Sequence, residues 1–191
     1  MNFFCVAFFI VALQVNISES VNYIIKLVGL LFFIGGILEI SGFNKSFKRF
    51  LTPVKFLVLL SALASALFLI FTFTSVTAGV KNITGIIIGT VITLLALLFQ
   101  KSLLKLISDD KELVNDLSNV IRFQKSWNKL AAITIANLVF DIINRVMPVK
   151  IIADLSGLMM AVSKIVMYIF ALIILFSANK IRVDFNKKHS I

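Results

Sequence analysis

Residues 22–40 read NYIIKLVGLLFFIGGILEI, and between Asn22 and Glu39 only Lys26 carries a charge. A hydrocarbon core of about 30 Å is crossed by roughly 20 apolar residues when each rises about 1.5 Å along a helix. In lipid every backbone N–H and C=O must be bonded internally, so a run of this length is read as one membrane-crossing helix. Its apolar residues are continuous and do not alternate with inward polar ones, which argues against a barrel strand.

Five further runs have the same character. The spans are expected at about 1–17, 22–41, 53–74, 83–100, 129–146 and 148–178. The first is short and also admits a signal-peptide reading, but it lacks a basic start and a small-x-small cleavage site, so an uncleaved helix is preferred. Thr52-Pro53 and Pro148 supply the cap-and-proline chemistry of helix starts. Composition agrees with this assignment: 60% of the 191 residues are hydrophobic, 15% are charged, and mean hydropathy is +1.04. A soluble domain has about 45–50% apolar and about 25% charged residues. The expected fold class is all-α: one polytopic transmembrane bundle of about six spans over residues 1–191.

Charge sets the orientation. Lys45, Lys48, Arg49 and Lys55 follow the second span. Lys101, Lys105, Lys111, Arg122, Lys125 and Lys129 lie between the fourth and fifth, and Lys180, Arg182, Lys187 and Lys188 end the chain. The alternate loops hold only Lys81, Arg145 and Lys150. By the positive-inside rule the first set is cytoplasmic, with both termini. The net charge of +10 is therefore assigned to membrane orientation and not to nucleic acid, with anionic lipid headgroups at the cytoplasmic face as its partner. Between the fourth and fifth spans, Ser108-Asp109-Asp110 resembles a helix start and Leu113, Leu117, Val120 and Ile121 share a face. An interfacial amphipathic helix is expected there, over about 109–125.

Ionisable groups inside spans are the functional candidates, since each costs about 2.5–3.5 kcal/mol at a helix centre on insertion scales. Lys26, Glu39, Asp141, Asp154 and Lys164 qualify. Counted from the helix starts, Glu39 lies about 26 Å deep and Lys164 about 22 Å deep, so the two are expected to face each other. Lys26, Asp141, Arg145 and Asp154 form a second expected group near the outer surface. Thr134, Asn137, Asp141 and Asn144 recur at helical spacing along the fifth span, with Arg145 beside them. Such a stripe either bonds neighbouring helices or lines an outward-facing polar cavity for a small solute.

Other chemistry is poorly supplied. Cys5 and His189 are the only cysteine and histidine, which leaves no zinc ligand set and no cysteine–histidine or serine–histidine pair. No cofactor, metal or catalytic residue is expected. The Ser61–Ala66 run offers a smooth face for close helix approach, first within the chain and second toward another copy or a partner membrane subunit. Gly29, Gly85 and Gly157, each in an early turn of an outside-to-inside span, suggest three stacked helical hairpins.

The stretch Gly29-Leu30-Leu31-Phe32-Phe33-Ile34-Gly35-Gly36-Ile37-Leu38-Glu39-Ile40, followed by a short basic loop and another apolar helix, resembles the HdeD-like family. That resemblance implies a small six-helix protein of a bacterial plasma membrane, built from repeated hairpins. It also implies a role in membrane stress or acid tolerance, with no site residues to carry over. The expected function is thus accessory and non-catalytic, with small-solute binding or transport as the alternative.

Overall fold

A computed structural model describes residues 6–8, 10, 19–110, 113, 116–147 and 149–189. Among them there are helices and short connectors and no strand. Helix α1 spans Glu19–Ser41 and a 3-10 helix spans Lys45–Phe50. It leads directly into α2, Leu51–Phe73. Helices α3, Ala78–Asp109, α4, Leu117–Val146, and α5, Lys150–His189, complete the order. Among the described residues four segments are long and apolar enough to cross a membrane: Ser20–Ser41, Lys45–Phe73, Ala78–Asp109 and Lys150–His189. Helix α4 is long enough, but polar residues run along it from Asn119 to Arg145. The first expected span lies mostly outside the described residues. Of it, Val6, Ala7 and Phe8 are helical, and the Phe8 ring packs edge-on against Phe33 and Phe123.

The connections between helices explain two departures from the expected boundaries. After α1, the Phe43 and Asn44 amides both donate to Ile40 O, at 2.9 and 3.0 Å, closing a tight turn. Asn44 then accepts from the Ser46 amide at 2.8 Å and caps the 3-10 helix, so the cap lies eight residues before Thr52. Pro53 falls in the first turn of α2, where its missing N–H leaves no helical bond unmade.

The second departure is the helix expected at 109–125, which is not a separate element. Ser108 does not cap; its hydroxyl donates back to Lys105 O at 2.8 Å, and α3 continues to Asp109. Asp116 is the cap that begins α4, accepting from the Ser118 amide at 2.8 Å and from the Asn119 side chain at 3.0 Å. The hydrogen bonds from Ser118, with help from the nearby Arg122 charge, hold its carboxyl below the ordinary carboxylate range. Helix α4 then runs unbroken through Trp127 and Lys129 to Val146. The face expected to lie on a membrane surface is divided, with Leu113 and Val120 in the core and Ile121 exposed.

Helix α4 packs along α5 as one long antiparallel hairpin, and α1 packs along α2 as another. Helix α2 meets α1 far more extensively than it meets α3, so the tighter hairpin joins the second and third expected spans, not the third and fourth. Ser61 and Ala64 are buried at the α1–α2 approach, and Ser65 donates to Ser20 O at 3.5 Å. The core is continuous from Leu30 and Phe33 through Leu103, Phe123 and Ile181 to Phe185. One end of the bundle is tied together by the Asn44 side chain on Asp110, the Asp116 amide on Asp184, and Phe43 packed edge-on against Phe185 and tilted against His189. That end carries the basic residues of the α1–α2 connection, of the end of α3 and the start of α4, and of the last turns of α5.

Candidate functional site

The polar interior is centred on Lys26. On α1 its neighbours at helical spacing are Tyr23 and Leu30, both buried, so the face that carries the lysine is the packed one. The ammonium donates to Thr93 Oγ1 on α3 at 3.0 Å and lies 5.7 Å from the centroid of the Tyr23 ring. Ring and hydroxyl together stabilise a cation in an apolar bundle. Tyr23 itself fits because α3 has a glycine opposite: a Cβ on Gly89 would lie 3.2 Å from the tyrosine hydroxyl.

Lys26, Thr93, Gln100 and Thr134 line a cavity of about 30 Å³, closed by Leu30, Ile92, Leu130 and Met167. Its volume suits one or two waters, which need roughly 10–15 Å³ each. The polar groups suit water as well. The Gln100 carbonyl accepts from Trp127 Nε1 at 2.7 Å, which turns the amide NH₂ away from α4. Thr134 gives its proton to Leu130 O at 2.9 Å and keeps its lone pairs. Ammonium and amide donors thus face a hydroxyl acceptor, with no carboxylate in the lining.

The remaining sequence candidates distribute around this centre. Asn137, one turn beyond Thr134 on α4, accepts from Ser163 of α5 at 2.7 Å and is 3% exposed. Asp141 and Arg145 close on each other at 2.9 Å on the α4 surface, both about a quarter exposed at 26%. Asp154 is exposed on α5, and Lys26 does not reach Asp141 or Asp154. The expected outer group therefore does not assemble: Asp141 and Arg145 pair, Lys26 turns to α3, and Asp154 faces outward.

Glu39 and Lys164, both half-buried, sit at different levels. Two registrations fix this. Lys26 shares its cavity with Met167, and Phe43 packs edge-on against Phe185 with ring centroids 5.0 Å apart. Both place α1 and α5 in parallel with nearly the same offset. Glu39 lies thirteen residues beyond Lys26, and Lys164 lies three before Met167, which separates them by about 24 Å along the bundle. Counting depth from helix starts failed because α5 begins seventeen residues before the cavity level and α1 only seven.

Thr93, Gln100, Trp127 and Ser163 were not among the sequence candidates. Gly89, Thr93, Ala96 and Gln100 form a small-and-polar stripe at helical spacing, which is the signal that marks the first two. Among the described residues no three His, Cys, Asp or Glu side chains gather as a metal site would require. No protein-family model matches the chain, and no curated protein or solved structure matches it either.

Proposed function

We propose that this chain is a multi-pass integral membrane protein whose basic end faces the cytoplasm and whose role is accessory and non-catalytic. The observation that carries the placement is an apolar belt bounded by charge. Phe56, Leu63 and Phe73 on α2, and Ile151, Leu158, Ile165 and Phe176 on α5, are all at least 57% exposed. A water-soluble monomer rarely exposes contiguous apolar patches beyond a few hundred Å², whereas lipid covers such a belt at no cost. Beyond it lies the basic end, opposite one that holds only Lys81, Arg145 and Lys150. On this reading α4 crosses too, its polar groups sheltered by α3 and α5, and the chain before α1 adds a sixth span with its N-terminus inside.

The accessory role is preferred to solute uptake because the polar stripe of α4 is consumed by its neighbours. Thr134 bonds its own helix, Asn137 bonds Ser163, and Asp141 bonds Arg145. The central cavity of about 30 Å³ is an order of magnitude below the roughly 300–1,000 Å³ of small-molecule sites. A membrane-stress role, as in the HdeD-like proteins that residues 29–40 resemble, fits a packed bundle of this kind.

Impermeant maleimide labelling tests the placement in a Cys5→Ala background. Ser75→Cys, in the exposed α2–α3 turn, is expected to label on intact cells, and Ser46→Cys, at the basic end, only after permeabilisation. The reverse pattern overturns the orientation, and release of the protein from membranes by alkaline carbonate overturns the membrane assignment.

A further inference from the structure

We propose that a groove between α4 and α5 at the basic end binds the phosphate of an anionic lipid headgroup. It has a volume of about 160 Å³ and is lined by Asn119 and Arg122 of α4 and by Ile173, Phe176, Ser177 and Lys180 of α5. The inference rests on the membrane placement given above and names the partner of its basic face.

Three features select this ligand. The first is charge available for binding. Arg122 and Lys180 are exposed, and neither makes an ion pair or hydrogen bond among the described residues. Asp116 spends its oxygens on the Ser118 amide and the Asn119 side chain and acts on Arg122 only through space, while Asp184, four residues beyond Lys180, accepts from the Asp116 amide at 2.9 Å. A guanidinium binds phosphate oxygens in pairs, and an ammonium adds a point charge.

The second is an unused hydroxyl. Ser177 is only 9% exposed, lines the groove, and makes no hydrogen bond among the described residues. The hydroxyl is open to the groove, and a phosphate oxygen there would accept its proton.

The third is the apolar half of the groove, which favours a lipid over free phosphate. Phe176 is 68% exposed and Ile173 39%, both one to two turns from Lys180 on the side of the apolar belt. By the registration of Lys26 with Met167 and Phe43 with Phe185, Lys180 lies at the level where α1 ends at Ser41. The charged lip therefore sits at the inner boundary of the bilayer, where headgroup phosphates are, with acyl chains beside Phe176.

The test is native mass spectrometry of the full chain, exchanged into micelles holding equal phosphatidylglycerol and phosphatidylcholine. The protein as it stands is expected to retain phosphatidylglycerol over phosphatidylcholine. Arg122→Gln with Lys180→Gln is expected to lower that retention about tenfold or more, each cation near a headgroup being worth a several-fold preference. Lys48→Gln with Lys187→Gln removes the same charge from exposed sites outside the groove and is expected to leave retention within about twofold. Equal losses in both double variants, or none in the first, would overturn the site. Displacement of the lipid by millimolar inorganic phosphate would overturn the lipid as its occupant. A chain recovered from the soluble fraction fails the membrane placement itself, a result distinct from these.

Discussion

Removing the Gln100–Trp127 bond tests whether buried polar pairs hold α3 and α4 in register. Gln100 is 5% exposed and Trp127 3%, and the indole N–H donates at 2.7 Å. Gln100→Met keeps the length and most of the volume of the side chain but leaves the indole proton without an acceptor. Orphaning a buried donor costs about 1–3 kcal/mol in soluble proteins, while interhelical bonds in membranes average about 0.6 and reach about 1.7 kcal/mol. The short bond and deep burial place this pair toward the top of the membrane range. Trp127→Phe costs more alone, because ring volume is lost as well as the bond. A double-mutant cycle subtracts that volume term. The coupling is expected at about 1–1.7 kcal/mol, roughly a five- to twentyfold difference in the unfolding equilibrium. Reversible unfolding by dodecyl sulfate in mixed micelles, followed by helical circular dichroism, reads all four variants. Additivity within about 0.3–0.5 kcal/mol would refute the bond as a stabilising element.

Two further outcomes follow from the glycines and the α4 cap. In the same unfolding assay Gly89→Val should lose about 1–3 kcal/mol by driving the Tyr23 hydroxyl out of its slot. Gly79→Ala, with nothing within 4 Å of its new Cβ, should be neutral or gain up to about 1 kcal/mol; equal effects at both sites would remove the steric argument. Asp116 titrates below its ordinary value because the folded state bonds its ionised form, so its contribution is full above the usual carboxylate range and is lost as pH falls through the depressed value. The stability difference between the native chain and Asp116→Ala should therefore be constant near neutrality and vanish in acid, and a difference that grew on acidification would reverse the assignment.

Much of the fold is legible in the sequence because its causes are local. The run at residues 22–40 needs no partner to be helical in an apolar medium, and α1 occupies it almost residue for residue. The basic residues expected on one side do gather at one end, since they lie in the connections. Helix boundaries at 109–117 were not legible. Ser108 and Asp116 are both capping residues followed by helical sequence, and the choice between them is made by contacts far away, with Asp184 holding the Asp116 amide at 2.9 Å. Periodicity gives the face of a residue and not its level. Lys26 and Asn137 were therefore identified as inward-facing while their partners, Thr93 and Ser163, were not.

Level is where the polar interior matters most. In a bilayer the apolar surfaces of two helices meet lipid and each other on nearly equal terms, so sliding one helix past another costs little hydrophobic energy. Polar groups break that degeneracy, because each displaced bond leaves an unsatisfied group in hydrocarbon. The bonds observed here join different pairs of elements: Lys26 with Thr93 joins α1 to α3, Gln100 with Trp127 joins α3 to α4, and Asn137 with Ser163 joins α4 to α5. Taken in sequence they form one chain of registrations across the bundle. A shift of a single turn, about 5.4 Å, between any two neighbours breaks the link at that interface. The same residues that first suggest a binding site are thus sufficient to fix the relative heights of four helices, and the small cavity lies where the first two links meet.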